Sequence, residues 1–169
     1  MKGNENQFDA TKMLIDGAVN LISKQPEQAF FAMQFAALGS KSPRALYLLG
    51  RMFIDGIGTE PDVPQGISKI EESAGSGYAD AEYFLAAMYY WGKHVPIDYE
   101  KAFKYASLAA DHGNADAMNM LCDCYVHGHG VEQDSAKGVE WLLKYSQATQ
   151  TNGLPVEEEI ISDDSLLDE

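Results

Sequence analysis

AEYFLAAMYYWG, residues 81–92, decides the fold because its apolar side chains recur with the period of an α-helix. Apolar groups stand at positions i, i+4, i+7 and i+8 from its first residue, so one face of this helix is predicted to be buried. Gly92 is expected to end the helix, and Pro96 in the following loop cannot continue it. Asp98 can then cap a second helix, predicted over residues 99–111, by accepting hydrogen bonds from its free N–H groups.

The same residue types return every 36 residues on both sides of this stretch. The repeating columns are Ala45, Ala81 and Ala117; Leu49, Leu85 and Leu121; Gly56, Gly92 and Gly128; and Asp62, Asp98 and Asp134. A period of this length is typical of a helical solenoid, whose units are stable only when they stack on one another. The sequence therefore predicts an all-α fold, an α-α superhelix built from helix pairs.

The register of the columns also predicts the domain organisation. The repeats are residues 45–80, 81–116 and 117–152. A degenerate repeat at about residues 7–43 precedes them, and we interpret it as a cap because an end unit needs one face that tolerates water. Residues 1–153 are accordingly expected to form one domain. Residues 154–169 are predicted to be an acidic, flexible tail, since they have too little apolar surface to order themselves alone.

Charge and composition exclude several classes of function. The formal net charge is −14, and half of it falls on the last fifteen residues, which hold seven acids and no base. Such a surface repels nucleic-acid phosphates and anionic lipids and attracts basic partners. The sequence has no run of 18 apolar residues and no apolar leader, so no membrane association is predicted. Two cysteines, Cys122 and Cys124, form no disulfide framework, and a cytoplasmic location is expected.

The stretch CDCYVHGH, residues 122–129, is the strongest candidate for a metal site because it gathers thiols, imidazoles and a carboxylate. It lacks the C-x2-C pairs that are usual in structural zinc sites. Cys124 also shares a core column with Met52 and Met88. We therefore interpret these residues as packing residues and expect no metal and no other cofactor.

Catalytic motifs are equally weak in this sequence. No serine stands in a nucleophile elbow, and the stretch GIG at residues 56–58 lacks the third glycine and the preceding strand of a dinucleotide site. Asp111 and His112 suggest an acid–base pair, but adjacent residues near a helix end more often face solvent. The sequence predicts a non-enzymatic protein with no catalytic residues.

One motif of the repeat resembles that of a known family. It reads Ala45-x3-Leu49-Gly50-x-Met52-Phe53-x2-Gly56-x-Gly58, with Ala109-Ala110-x2-Gly113 closing the next unit. This motif resembles the Sel-one-like repeat, a relative of the tetratricopeptide repeat, and the resemblance covers roughly residues 27–146. It implies a right-handed solenoid of antiparallel helix pairs that acts as a protein-binding scaffold. Ala86 and Cys122 depart from the motif where Gly50 matches it.

In helix-pair solenoids the first helices of successive units usually line the concave side, so their non-core columns are the predicted partner-binding surface. The candidate residues are Tyr47, Arg51, Asp55, Tyr83, Trp91, Asn119, Asp123 and His127. Tyr, Trp and Arg are the residue types that contribute most to binding when they are desolvated at an interface. The alternative is that Tyr83 and Trp91 only pack between repeats.

The leading functional hypothesis is a scaffold or adaptor that binds a protein or peptide in its concave groove, and the charge favours a basic partner. The first alternative, based on size and charge, is an immunity or inhibitor protein that neutralises a basic toxin. A hydrolase is a less favoured alternative. The family that the motif resembles includes proteins described as binding or turning over β-lactam-like compounds, but this chain has no serine–lysine arrangement. A structural spacer within a larger assembly is the remaining alternative.

Overall fold

The computed structural model describes residues 3–151, with side chains for residues 10–150. This part of the chain consists of eight helices and contains no strand. They are α1 (Gly3–Leu21), α2 (Pro26–Ser40), α3 (Pro43–Asp55), α4 (Val63–Ala74), α5 (Ala79–Trp91), α6 (Tyr99–Asp111), α7 (Ala115–His127) and α8 (Ser135–Thr151). The predicted helix over residues 99–111 is confirmed by α6. The predicted tail, residues 154–169, lies outside the described residues.

The helix ends follow the 36-residue register. The helices α3, α5 and α7 each end at a glycine with left-handed backbone, whose N–H donates to the carbonyl oxygen four residues earlier. These glycines are Gly56, Gly92 and Gly128, with φ of 68°, 68° and 73°. After the loop, the Asp98 carboxylate accepts a hydrogen bond from the N–H of Lys101 at 3.0 Å. The stop at Gly92 and the cap at Asp98 are thus confirmed.

The repeating columns form the core. The alanine column is fully buried, and the leucine column is at most 2% exposed. Helices contact mainly their neighbours in the chain, most extensively within the hairpins α3–α4, α5–α6 and α7–α8. The first helices α5 and α7 also contact each other directly. The all-α solenoid of stacked helix pairs is confirmed.

The first full hairpin depends on two facing glycines. A Cβ atom on Gly50 of α3 would lie 2.7 Å from the carbonyl oxygen of Gly66 on α4, and a Cβ atom on Gly66 would lie 2.6 Å from that of Gly50. In the next hairpin the same columns hold Ala86 and Ala102, both fully buried. Small residues at this crossing allow the two helices to approach closely.

Helix α2 carries an outward-facing apolar stripe. Phe31, Phe35 and Leu38 are 66%, 73% and 72% exposed. The opposite face of α2 packs against α1 and α3 through Ala29 and Met33, both fully buried. Among residues 3–151, no helix combines the length and the apolar character that crossing a lipid bilayer requires.

Candidate functional site

A cleft of about 390 Å³ lies between α5 and α7, and we call it the α5–α7 cleft. The residues that line it are Tyr83, Tyr90, Trp91, Asp116, Asn119, Met120, Cys122, Asp123 and Val126. Four of the eight predicted partner-binding residues are therefore brought together here, namely Tyr83, Trp91, Asn119 and Asp123. The cleft forms because consecutive first helices lie side by side with their non-core columns facing outward.

Aromatic rings form one wall of the α5–α7 cleft. Trp91, the last residue of α5, is 61% exposed. Its ring meets the ring of Tyr90 edge to face, with 5.4 Å between the centroids. Tyr83 lies two turns earlier on the same helix, and burial, together with the charge of Asp116, raises the pKa of its hydroxyl. The wall therefore offers apolar ring surface of which a large part is in contact with water.

Tyr90 links α5 to the next repeat. Its hydroxyl donates a hydrogen bond to the Asp123 carboxylate on α7 and lies 2.9 Å from Nδ1 of His129 in the following loop. Burial, followed by the hydrogen bond to Asp123, raises the pKa of Tyr90. The His129 ring in turn stacks on Tyr99 with 4.2 Å between the centroids. These contacts fix the spacing of the two helices that enclose the cleft.

The sequence analysis missed Tyr90, Tyr99 and His129 as site residues. A signal for Tyr90 was present in its column, where Ile54 and Val126 are the equivalent residues of the flanking repeats. Only the second repeat places a hydroxyl there. His129 was considered solely as a metal ligand, whereas its contacts are with aromatic rings.

The α5–α7 cleft is acidic. Asp116 and Asp123 line it, and none of its lining residues is basic. The Asp123 carboxylate is held by the Tyr90 hydroxyl and lies 3.0 Å from Nδ1 of His127. The Asp116 carboxylate has no hydrogen bond or ion pair within the part of the chain whose side chains are described. The cleft therefore combines exposed rings with negative charge that is only partly neutralised.

The remaining predicted residues of the first repeat lie on α3, where it faces α5. The Arg51 guanidinium stands 5.0 Å from the ring centroid of Phe84 and 6.0 Å from that of Tyr47. It also donates to the Tyr47 hydroxyl at 3.2 Å and lies 3.5 Å from the Asp55 carboxylate. Arg51 thus contacts both Tyr47 and Asp55, and its guanidinium lies between α3 and Phe84 of α5.

The residues of the candidate metal stretch have different surroundings in the structure. Cys124 is fully buried, and burial raises the pKa of its thiol to about 12, which keeps it protonated. His127 stacks on His129 with 5.5 Å between the centroids, and its Nδ1 lies 3.0 Å from the carboxylate of Asp123, which lines the α5–α7 cleft. Among the described side chains, no group of three His, Cys, Asp or Glu residues is placed to hold a metal ion.

His112 pairs with a residue that the sequence analysis did not consider. Its Nδ1 lies 2.7 Å from Oε2 of Glu82, which is only 2% exposed at the start of α5. This hydrogen bond, together with the charges of Glu82 and Asp111, raises the pKa of His112. The contact joins the end of α6 to the start of α5, so it serves the packing of the second repeat.

Known proteins share both sequence and fold with this chain. DAP3-binding cell death enhancer 1 from Rattus norvegicus is 30% identical over 86 residues, which is 51% of this chain but 16% of the rat protein. The chain thus spans less than a fifth of the mammalian relatives that it matches. A Sel1 repeat protein from Oxalobacter formigenes superposes with a TM-score of 0.72 at 26% identity, covering 88% of this chain and 61% of that one.

An immunity protein from Pseudomonas aeruginosa has the same fold, with a TM-score of 0.57 at 18% identity, covering 83% of this chain and 61% of that one. The model of the Sel1 repeat matches residues 43–68, 79–114 and 115–147. These matches cover more than half of the chain and coincide with the helix pairs α3–α4, α5–α6 and α7–α8. The protein therefore belongs to the Sel1 repeat family.

Proposed function

We propose that the protein is a non-enzymatic adaptor that binds a protein or peptide partner along its first helices, chiefly in the α5–α7 cleft. Sel1 repeat proteins generally mediate protein–protein interaction, and their fold is a typical non-enzymatic scaffold. The mammalian relative carries DAP3 binding in its name. The observation that carries the proposal is the exposed ring of Trp91 at the mouth of a cleft.

The physical argument is one of desolvation. A tryptophan ring that is 61% exposed keeps apolar surface in water, and a partner that covers it gains about 25 cal/mol for each Å² removed from water. Tyr83, Asn119 and Asp123 in the same cleft supply hydrogen-bonding groups that can orient the partner. In this proposal Tyr47, Arg51, Asp55 and His127 contact the partner on either side of the cleft.

The test compares two pairs of aromatic residues. The double variant Tyr83→Ala/Trp91→Ala removes rings from the α5–α7 cleft, and Phe31→Ala/Phe35→Ala removes two exposed rings from α2. Proteins captured from a lysate are identified by mass spectrometry, and circular dichroism checks that both variants are folded. We expect a partner that is retained by the α2 variant and lost by the cleft variant. Capture that survives loss of the cleft rings would contradict the proposal and favour a spacer.

A second candidate function is that of an immunity or inhibitor protein that neutralises a basic toxin. The net charge of −14 supports it, as does the occurrence of this fold in an immunity protein. The test is co-expression with the product of a neighbouring gene that encodes a basic toxin. Protection of the host by the wild type, and its loss in Tyr83→Ala/Trp91→Ala, would support this function; growth arrest despite co-expression would contradict it.

We also propose that the protein works in the cytoplasm. Cys122 and Cys124 are both free thiols, which agrees with a reducing compartment. Cell fractionation tests this location, and recovery from the extracellular or periplasmic fraction would contradict it.

A further inference from the structure

Two neighbouring junctions of the solenoid differ in whether a guanidinium lies between their first helices. Between α3 and α5, the Arg51 guanidinium lies against the rings of Tyr47 and Phe84. Moving by one repeat of 36 residues replaces Arg51 by Ala87, while Tyr47 becomes Tyr83. The other partners of Arg51 change too, since Phe84 becomes Met120 and Asp55 becomes Trp91. The second junction therefore keeps a tyrosine at the equivalent place but has a methyl group where the first has a guanidinium. The α5–α7 cleft lies at this junction.

Cations cover other aromatic faces of this protein. The ammonium groups of Lys101, Lys137 and Lys144 stand 5.0, 5.6 and 3.9 Å from the ring centroids of Tyr89, Tyr125 and Trp141, respectively. Within the described side chains, no lysine or arginine stands over the rings of Tyr83, Tyr90 or Trp91. Within the described part of the chain, the exposed ring of Trp91 and the half-buried ring of Tyr83 therefore carry no cation, and they can receive one from another molecule.

The charge of the α5–α7 cleft also favours a cation. The carboxylates of Asp116 and Asp123 line the cleft without a basic neighbour among its lining residues. The Asp123 carboxylate accepts a hydrogen bond from Tyr90 and lies near His127, whereas the Asp116 carboxylate has no such partner in the described part of the chain. A positive group that enters the cleft would meet aromatic faces on one side and negative charge on the other.

We propose that the α5–α7 cleft receives an arginine side chain of the partner protein, in the place that Arg51 fills at the preceding junction. This inference rests on the proposed adaptor function. Arginine fits better than lysine because its planar guanidinium stacks on aromatic rings while its N–H groups donate to carboxylates in fixed directions. The acidic surface around the cleft draws such a basic segment towards it.

The direct test is an NMR titration with a blocked pentapeptide that has one central arginine among glycines. A citrulline peptide of the same shape without charge, and a lysine peptide, serve as matched ligands. We expect the arginine peptide to shift the indole N–H of Trp91 and leave that of Trp141, whose ring already carries Lys144, unchanged. Citrulline should bind about tenfold or more weakly, since the charge is lost.

Two variants test the place of binding. Ala87→Arg supplies the second junction with its own guanidinium, and we expect it to abolish the shift of the Trp91 signal by the arginine peptide. Asp116→Asn removes charge without filling the cleft, and it should weaken binding several-fold. Circular dichroism and the spectrum without peptide show whether each variant keeps the fold.

Equal binding of the arginine and citrulline peptides, or binding of the lysine peptide as tightly as arginine, would overturn the assignment. So would an arginine-induced shift that persists in Ala87→Arg. These failures are distinct from failure of the adaptor proposal. If capture of a partner depends on Tyr83 and Trp91 but is unaffected by Ala87→Arg and Asp116→Asn, the adaptor function stands and the arginine inference is wrong.

Discussion

Leu85 illustrates how a single residue stabilises the stack. It is 1% exposed and belongs to the apolar cluster that joins α4 to α5. Leu85→Ala should lower the free energy of unfolding by about 2–5 kcal/mol, because it removes buried methyl groups and leaves a cavity. Urea denaturation measures the change. Leu108→Ala, at a position that is 39% exposed, is the control and should cost much less; equal losses would contradict the assigned core.

The pair of His112 and Glu82 makes stability depend on pH. Because the pKa of His112 is raised above its ordinary value of 6.5, the folded state binds the proton more tightly than the unfolded state. The stabilisation is fully present below pH 6.5 and is lost as the pH rises through the raised pKa. We expect urea midpoints to fall as the pH rises from 6.5 through the raised pKa of His112.

A matched pair of variants assigns this pH dependence. His112→Gln should flatten the fall in the urea midpoint, since the titrating group is gone. His94→Asn removes another exposed histidine and leaves the contact of His112 with Glu82 intact, and Asn tolerates the left-handed backbone at this position. An unchanged slope in His112→Gln, or a slope lost in His94→Asn, would show that other groups cause the dependence.

At the scale of helices, replacing glycine by alanine is expected to have opposite effects at the crossing of α3 and α4 and in α1. Gly66→Ala would place a Cβ atom 2.5 Å from Cγ1 of Ile54 and should lower the free energy of unfolding by about 1–3 kcal/mol. Gly17→Ala in α1 has open space around the new methyl group and should raise it by about 0.5–1 kcal/mol. Thermal denaturation measures both, and changes of the same sign would contradict the account of this crossing.

The sequence could predict the helices and their ends because these depend on local chemistry. Gly92 and Asp98 act within one or two turns of their own helices, so their roles can be inferred from spacing. The partner of Gly50 could not be found in this way, because Gly66 lies on another helix and only the crossing geometry brings the two together. The ends and caps of the helices were thus predictable because they depend on residues close in sequence.

The same limit applies to the candidate site. The columns predict that Tyr83 and Trp91 share an outward face of α5, and the structure places both in one cleft. They do not predict that Tyr90 bonds to Asp123 or that His129 stacks on its neighbours, because those contacts depend on the rotation of one repeat against the next. The role of all these residues in binding stays a prediction.

At the scale of the whole molecule, the loops of the first and third full repeats pack closely against the repeat that precedes each of them. A Cβ atom on Gly58 would lie 2.1 Å from the carbonyl oxygen of Pro26, and one on Gly130 would lie 2.0 Å from that of Tyr99. The equivalent position in the middle repeat is His94, which has a φ of 67°. Since a real Cβ atom cannot approach an oxygen so closely, the middle loop must stand further from the preceding repeat.

Substitutions at two of the equivalent loop positions test this difference between the loops. Gly130→Ala should lower the free energy of unfolding by more than about 1 kcal/mol, because it combines a clash with an unfavourable φ. His94→Gly should raise it by up to about 1 kcal/mol, because it relieves left-handed backbone in a non-glycine residue. Thermal denaturation decides, and a stabilising Gly130→Ala would contradict the close contact of loop and helix.

The restriction of contacts to neighbouring helix pairs has a consequence for how such a molecule can evolve. Duplicating or losing one unit alters only the junctions beside it, so the length of the array can change by unequal recombination without redesign of the fold. The length of partner segment that the array can bind would then change in steps of one repeat.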